Sequence, residues 1–451
     1  MGFELTNEFI EQVEALIEKR DSARLSEIFS GMHPADIAEV LDELNFDNAV
    51  YVIRLLDSET TSDILEELDD DTRERVLTSL SAKEIAKEID ELETDAAADI
   101  IAELPEDKQD RVIAQLEDPE HARDITELLQ YDEDTAGGLM GKELIAVNEN
   151  WSVLRCVKEM RKQAEDFDEV YIVYVVDDDF KLKGRLSLKK LLTTSTKTLV
   201  KDIYVPEIHY VKTSDTADEV AQIMQKYDLF VLPVVDDEGH LVGNITLDDV
   251  VDHIKEEADK DYQLAAGLTD DVEADDSIFD LIKGRLPWLI LGLLGGFGSV
   301  TILTGFGSIM NNPEYRSLFF FTPLIAAMAG NVGVQSSAIV VQALASGGLK
   351  SGTWQQLIKE IRLGLINGLI LALLIVGFGT LMHYRLKFSV TIGVSLISVM
   401  LVAAVIGTFI PIFLDKKGIN PALATGPFIT TSNDIFGVFI FFHIAKLLLG
   451  F

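Results

Sequence analysis

Two different hydrophobic patterns divide the chain near residue 284. The part that follows contains five long apolar runs, at residues 288–310, 318–345, 363–382, 390–414 and 422–449. A helix needs about 20 mostly apolar residues to cross a bilayer, and each run is long enough. The pattern therefore predicts a transmembrane domain of five helices over residues 284–451, with buried helices of a soluble domain as the less usual alternative.

A helical pattern repeats within residues 1–131. The pairs Glu67-Leu68 and Glu103-Leu104 are 36 residues apart. A short helical hairpin cannot bury its own apolar face, so repeated hairpins must stack on one another. This part is therefore predicted to form an acidic, all-α superhelix, with an irregular helical bundle as the alternative.

Residues 132–254 alternate short β-branched runs with helical segments, and a second repeat occurs here. Segment 174–192 matches segment 233–251 with a constant offset of 59 residues, so that Asp177 corresponds to Asp236. Each copy is predicted to form a strand, an aspartate turn, a second strand and a helix that Ser or Thr caps. The expected result is an α/β domain of two equivalent copies.

The charge distribution follows the same division. The chain is 48% hydrophobic with a formal net charge of −38, but from Gly284 onward it carries 10 Lys and Arg against 4 Asp and Glu, which leaves 28 against 72 for the front part. So acidic a surface repels itself, and divalent cations between acidic faces would offset the repulsion. An enzyme is not expected, since no nucleophile with a nearby base, phosphate-binding loop or metal-ligand histidine pair stands out.

The sequence favours a cytosolic location for the front part. Its first 20 residues are acidic and amphipathic, unlike a cleavable targeting signal, and the single cysteine, Cys156, permits no intrachain disulfide. Basic residues beside the predicted spans, including Lys416 and Lys417, support this orientation. We expect a multi-pass protein of the cell (inner) membrane with cytoplasmic N-terminal domains and an external C-terminus.

Asp434 is the only acid well inside the predicted apolar runs, and the second run carries the polar residues Asn331 and Gln335. A charge at the bilayer centre costs about 2.5 to 3.5 kcal/mol on the lenient insertion scale, so such residues normally face a cavity or a partner. Oxygen ligands without Cys or His suit a hard cation such as Mg²⁺. We interpret Asp434 as part of an ion path, to which a two-fold dimer would add a second copy. Pairing with Arg362 or Lys446 is the alternative.

An acidic, amphipathic helix is predicted at residues 246–262, and residues 246–283 connect the α/β domain to the membrane. The α/β copies resemble a pair of CBS modules, a regulatory fold that commonly dimerises and binds nucleotides or ions. Thr246 and Asp249 match the Thr-x-x-Asp element that holds a ribose in many such modules. Ile172 and Leu229, however, stand where an adenine ring would want an aromatic partner. ATP binding and a purely structural cap are therefore both left open.

Five motifs in the chain resemble the MgtE family of magnesium channels and transporters. They are HPADIAEVLDEL, YDEDTAGGLM, RLPWL, GNVGVQSS and NPALATGPFITTSNDIFG, in the order of that family and across essentially the whole chain. The resemblance implies a homodimer in the lipid bilayer whose last helices line the pore. It also implies that Asp434 holds a hydrated Mg²⁺, with Asn331, Gly426 and Thr430 lining the path.

Members of the family also sense magnesium through their cytosolic part. The resemblance implies that Mg²⁺ bridges acidic faces of the helical domain, the CBS pair and the connecting helix, which then closes the pore as a plug. Mg²⁺ is thus expected as both substrate and regulator, and no nucleic-acid partner is expected. Lys255 and Lys260 interrupt the acidic run of the helix. The acids that match the sensor are Asp95, Asp99, Asp228, Asp249, Asp252, Glu257 and Asp261.

Three functions are to be distinguished. The first is a magnesium-selective import channel gated by cytosolic Mg²⁺. The second is a secondary transporter that couples divalent cation movement to protons through Asp434, with a pH-dependent rate. The third is a membrane-anchored sensor without transport, in which Asp434 is only a packing residue.

Overall fold

The computed structural model describes residues 3, 5–164, 170–269, 272, 277–313, 315–345, 348–349 and 352–450. The chain divides into two compact units, Met1–Ile254 and Lys255–Phe451. Nineteen α-helices and six strands lie within the described residues.

Ten short helices open the first unit. From α2 to α9 each helix begins twelve residues after the one before it. Asp21, Asn45, Asp57 and Ser81 each cap a helix, because their side chains accept a hydrogen bond from a backbone N–H three residues later. The helices are α1 Asn7–Glu18, α2 Ser22–Phe29, α3 Pro34–Asp42, α4 Phe46–Ile53, α5 Ser58–Glu67, α6 Asp70–Ser79, α7 Ala82–Ile89, α8 Thr94–Ala102, α9 Glu106–Ile113 and α10 Pro119–Leu128.

In the later helices of this row, a leucine directly precedes the capping residue, and this leucine helps each helix to pack in the repeat. An apolar residue at that position packs under the helix that follows and fixes the angle at which the chain enters it. Helices pack on the next but one along the chain, as α3 does on α5 and α5 on α7. The 36-residue spacing therefore contains three helices, so the all-α class is confirmed and the two-helix hairpin unit is wrong. The leucines are Leu44, Leu56, Leu68, Leu80, Leu92 and Leu104.

Two matching α/β copies complete the first unit. In each sheet the first two strands are parallel and the last two antiparallel, in the order β1-β2-β3 and β4-β5-β6. The last helix, α14, continues past Ile254 into the second unit. The elements are β1 Ile145–Asn148, α11 Val153–Gln163, β2 Val173–Val176, β3 Leu182–Leu186, α12 Leu188–Thr193, β4 Val211–Lys212, α13 Ala217–Tyr227, β5 Val231–Val235, β6 Leu241–Thr246 and α14 Leu247–Ala266.

The two predicted aspartate turns are the same structure. Oδ1 of Asp177 accepts hydrogen bonds from the backbone N–H groups two and four residues later, both at 3.0 Å. Oδ1 of Asp236 accepts the equivalent bonds at 2.9 and 2.8 Å. An aspartate that takes two N–H groups in this way holds a tight turn between strands. The predicted pair of equivalent copies is therefore confirmed.

Five long helices form the second unit, together with 3-10 turns at Gly307–Asn311 and Pro421–Ala424. Within the described residues, these five are long and apolar enough to cross a membrane, which confirms the predicted number of spans. The central one, α18, is half buried and packs on α16, α17 and α19. The helices are α15 Ile278–Gly305, α16 Leu318–Ala345, α17 Thr353–Leu381, α18 Leu386–Asp415 and α19 Gly426–Leu449.

The ends of these helices differ from the apolar runs. Helix α15 begins ten residues before its run because Ser277 caps it, its hydroxyl accepting from the Asp280 N–H at 3.3 Å. The last run is divided into a 3-10 turn and α19. Pro427 lies in the first turn of α19, where its missing N–H costs no helical hydrogen bond. Gly426 starts that helix with φ +41°, a conformation that favours glycine.

Candidate functional site

One face of α16 and one face of α19 line a cavity in the second unit that is open to the surface of the chain. Its lining residues recur every three or four positions along each helix, which places them on one side of it. The volume is about 390 Å³, and the lining consists of Ala326, Ala327, Gly330, Asn331, Val334, Gln335, Thr430 and Asp434. The structure therefore brings Asp434, Asn331, Gln335 and Thr430 together, although about 100 residues separate the two segments in sequence.

Gly330 sets the distance between the two helices at this cavity. A methyl group on it would lie 3.3 Å from Cγ2 of Thr430 and 3.8 Å from Oδ1 of Asp434. The first distance is tight, so even a methyl group here would require Thr430 to move by a few tenths of an ångström, and a larger side chain would fill the space between the helices. The glycine thus keeps the amide of Asn331, one residue later, close to the carboxylate of Asp434.

Asp434 is half buried in the cavity wall. It forms no ion pair with any described lysine, arginine or histidine, so the structure gives no support to pairing with Arg362 or Lys446. Thr430 Oγ1 donates to the Gly426 carbonyl oxygen at 2.9 Å, so the lone pairs of the hydroxyl oxygen are not used by that bond. Carboxylate, amide and hydroxyl oxygens at one cavity form a ligand set for a hard cation.

Gly426 lies outside the lining of this cavity. A Cβ atom on it would collide with the carbonyl oxygen of Ala265, near the end of α14. Close to this point, Asn420 Nδ2 donates to Asp261 Oδ1 at 2.9 Å. Gly426 therefore meets the connecting helix, while its carbonyl group accepts from Thr430.

Sequence reasoning missed Glu360. Glu360 is 3% exposed within α17, and the predicted apolar run begins three residues later, at Leu363. Ser336 Oγ on α16 donates to Glu360 Oε2 at 3.0 Å. The available signal was the helical spacing, because Glu360 lies one turn before Gly364, whose face packs on α18.

A second group of acids lies in the first unit, between α8 and the first α/β copy. Carboxylate oxygens of Glu93, Asp95 and Glu143 all lie within 4.8 Å of one another. The Glu143 carboxylate is oriented by Thr94, whose backbone N–H and hydroxyl donate to it at 3.0 and 2.8 Å. Three carboxylates this close repel one another, and a divalent cation would relieve the repulsion.

Asp249 acts on the same group of acids. Burial, followed by the charges of Asp249 and Glu143, raises the pKa of the Asp95 carboxyl. Burial also raises the pKa of Asp249 itself, with a contribution from Asp248, although the Thr246 backbone N–H and hydroxyl both donate to its carboxylate. Two of the acids matched to the sensor, Asp95 and Asp249, are therefore close enough to destabilise each other's charge.

Glu66 belongs to this acidic region as well. Burial and the charges of Glu67 and Asp249 raise its pKa to about 7. Neither it nor Glu93 and Glu143 was predicted from the sequence, because a linear acidic pattern does not show which acids the fold brings together.

The remaining sensor acids are distributed over several elements. Asp99 on α8 is exposed, as is Asp252 on α14. Asp228 is exposed at the end of α13, where it adopts a left-handed conformation with φ 52°. Glu257 pairs with Lys260 at 3.5 Å, and Asp261 bonds to Asn420. None of these five belongs to the three-carboxylate group among the described residues.

Comparison with known proteins decides the family. The model of a divalent cation transporter, MgtE, matches residues 322–444, that of the MgtE intracellular N domain matches 32–134, and CBS domains match 136–196 and 200–256. The magnesium transporter MgtE of Thermus thermophilus is 37% identical over 71% of this chain and 72% of its own length. The chain belongs to the MgtE family.

Further MgtE relatives agree with this assignment. The magnesium transporter MgtE of Enterococcus faecalis is 34% identical over 72% of the chain and 71% of its own length. The solved cytosolic domain of the Mg²⁺ channel MgtE in complex with ATP is 34% identical and superposes with a TM-score of 0.51, covering 54% of this chain and 99% of that domain. The relatives of Thermus thermophilus and Enterococcus faecalis are named magnesium transporters, which confirms the expectation that this chain belongs to a family of transporters and not of enzymes.

Proposed function

We propose that this chain is a magnesium-selective channel or transporter that imports Mg²⁺ along a path past Asp434, and that cytosolic Mg²⁺ closes this path. The observation that carries the proposal is the cavity between α16 and α19, in which the carboxylate of Asp434 faces the polar side chains of Asn331, Gln335 and Thr430. The MgtE relatives are named magnesium transporters, which indicates Mg²⁺ as the ion.

The cavity chemistry fits a partly hydrated Mg²⁺. Magnesium gives up its water reluctantly, so protein sites usually hold it by one or two carboxylates through a mostly retained water shell. Asp434 provides one carboxylate, while Asn331 and Gln335 are exposed on the surface of this chain. In a homodimer, a two-fold axis at this surface would add the second carboxylate and close the path.

The acids of the first unit support the proposed regulation by Mg²⁺. Mutual repulsion among Glu93, Asp95 and Glu143, increased by Asp249, disfavours the compact arrangement. A divalent cation stabilises the arrangement that binds it by an amount set by its differential affinity. Cytosolic Mg²⁺ would thus favour the compact form, in which the connecting helix α14 holds the path closed. The other acids matched to the sensor would contribute further sites.

ATP is a second candidate regulator. The solved MgtE cytosolic domain that resembles this chain is in complex with ATP. Here Thr246 and Asp249 bond to each other, which is the arrangement of a structural cap, so ATP binding would use other groups of the CBS pair or reorganise this one.

We propose that the protein lies in the inner membrane, with cytoplasmic N-terminal domains and an external C-terminus.

Uptake of Mg²⁺ into proteoliposomes, at several internal Mg²⁺ concentrations, tests the function. We expect wild-type flux that falls as Mg²⁺ rises on the side of the N-terminal domains. We expect no flux for Asp434→Ala at any concentration, because the cation loses its carboxylate. Asp415→Ala, which removes an exposed acid at the end of α18, should keep wild-type flux.

The other outcomes separate the alternatives. Flux that persists in Asp434→Ala places the path elsewhere. Wild-type flux that depends on a proton gradient identifies the proton-coupled transporter. An assembled wild-type protein that shows no flux even without internal Mg²⁺ identifies the sensor.

A further inference from the structure

Three consecutive residues of α16 make three different connections. Successive residues on a helix point about 100° apart, so a run of three faces three directions. Gln335 lines the cavity, Ser336 Oγ donates to Glu360 Oε2 on α17 at 3.0 Å, and Ser337 Oγ donates to the Ala424 carbonyl oxygen at 3.1 Å. Helix α16 is therefore anchored on two sides at the level where it lines the cavity.

The anchor on α17 is a buried carboxylate. Glu360 is 3% exposed, and its donors Ser336 and Gln356 are 4% and 6% exposed. Gln356 Nε2 donates to Glu360 Oε1 at 3.5 Å. No described lysine, arginine or histidine pairs with Glu360. A polar group buried this deeply is costly unless it is hydrogen-bonded, so Glu360 holds its donors firmly in place.

We propose that Glu360 is a positioning residue for the ion path. Its carboxylate holds Ser336 and thereby fixes the rotation of α16 about its own axis, which decides how Asn331 and Gln335 face Asp434. The inference rests on the proposed function, in which the cavity is the ion path.

The geometry shows why a small rotation matters. A helix with its side chains has a radius of about 5 to 6 Å, so a turn of about 20° moves the end of a side chain by about 2 Å. Magnesium requires nearly ideal octahedral geometry, and a shift of that size changes which groups contact its water shell. Loss of the Ser336–Glu360 bond should therefore change the affinity of the path for Mg²⁺ in molecules that still fold and conduct.

The half-saturating Mg²⁺ concentration for uptake, measured on the full chain in proteoliposomes, tests this role. We expect Glu360→Ala and Ser336→Ala each to raise it about tenfold, the effect of losing one buried hydrogen bond and leaving its partner unsatisfied. The double variant should be no worse than either single one, because both remove the same bond. Glu360→Gln should stay close to wild type, since its amide oxygen still accepts from Ser336.

A matched control is available on α18. Ser395 is completely buried, and its hydroxyl has no hydrogen-bond partner among the described residues. Ser395→Ala therefore removes a buried hydroxyl without breaking a bond between helices, and should leave the half-saturating concentration unchanged.

Several results would overturn the inference. One is a lower maximal flux with an unchanged half-saturating concentration, which identifies Glu360 as purely structural. Another is a double variant whose effect is the product of the two single effects. If Glu360→Ala fails to assemble, a wild-type value for Ser336→Ala is sufficient to reject the role. Asp434→Ala in the same assay distinguishes failure of the positioning role from failure of the proposed function. Flux that persists in that variant rejects the proposed function itself.

Discussion

Individual carboxylates in this chain differ in what surrounds them. Asp434 faces amide and hydroxyl groups across a cavity, Asp95 faces other carboxylates, and Glu360 receives hydrogen bonds from Ser336 and Gln356. The first arrangement suits a cation in passage and the second favours a bound cation or a proton. In the third, hydrogen bonds from two neighbouring side chains satisfy the carboxylate. Residue type alone does not separate these three cases, whereas the neighbouring atoms do.

The acids around Glu66 make the stability of the folded protein depend on pH. Its pKa is raised from 4.5 to about 7, so the folded state binds this proton more tightly than the unfolded state. Without Mg²⁺, the free energy of unfolding should therefore fall as pH rises from 4.5 through 7. Glu66 is only partly buried, because its carboxyl lies among other acids while much of the residue stays open to solvent. Solvent screens its charge, so we expect a loss of only about 1 kcal/mol from this group.

Thermal denaturation of the purified protein at pH 5 and pH 8, with and without millimolar Mg²⁺, measures this dependence. Mg²⁺ should raise the melting temperature more at pH 8, where the acids are charged. Glu66→Gln should reduce the difference between the two pH values, whereas Glu11→Gln on the exposed face of α1 should not. A melting temperature that rises with pH in the absence of Mg²⁺ would contradict the predicted loss of stability at higher pH.

At the scale of elements, the sequence predicted which segments form helices and strands better than where these end. Apolar runs gave five spans, but α15 and α17 begin ten residues before theirs, because helices continue into polar segments where a cap or a packed neighbour supports them. The 36-residue spacing was found, while its division into three helices was not, because the leucine-and-cap pattern of twelve residues has few identical positions.

Only some residues of the candidate sites could be predicted from the sequence. Asp434 and Asn331 stand out as polar residues in apolar runs, and the structure places both at one cavity. Glu66, Glu93 and Glu143 resemble dozens of other surface acids in the sequence. Glu93 and Glu143 meet at one place, and Glu66 lies near Asp249, because of how the elements of the first unit pack, which no local pattern encodes.

The contact between the end of α14 and the start of α19 gives an element-scale prediction. Asn420 donates to Asp261 at 2.9 Å and also caps the 3-10 turn, its Oδ1 accepting from the Ala422 N–H at 2.8 Å. Asn420→Ser keeps a capping oxygen but is too short to reach Asp261. We expect it to weaken closure, raising the Mg²⁺ concentration that half-inhibits uptake by about tenfold.

Proteoliposome uptake against Mg²⁺ on the side of the N-terminal domains measures that concentration. Lys417→Ala, an exposed residue of the same connection, serves as the control and should behave like wild type. An inhibition curve for Asn420→Ser that superposes on the wild-type curve would show that the hydrogen bond has no part in closure.

At the scale of the whole molecule, acid is concentrated before residue 284 and apolar surface after it. With cytoplasmic N-terminal domains, five spans place the connection between α18 and α19 inside the cell and that between α17 and α18 outside. An impermeant maleimide should therefore label Lys387→Cys in intact cells, and Lys417→Cys only after permeabilisation.

The native cysteine allows this experiment in an otherwise unchanged chain. Cys156 is buried, and burial raises the pKa of its thiol to about 11, so little thiolate is present to react. Labelling of Lys417→Cys in intact cells would invert the proposed orientation. Labelling of the parent chain without an added cysteine would show that Cys156 is reactive.

The twelve-residue repeat of the N-terminal helices has a consequence for how this part can change in length. Each helix packs on near neighbours, so the array consists of interchangeable repeats. Losing or gaining one repeat would shorten or lengthen the array, while every other repeat kept its leucine and its cap. A loss of six residues would instead put mid-helix residues where the leucines and caps belong. Relatives that tolerate insertions or deletions here should therefore differ in length by whole repeats of twelve residues.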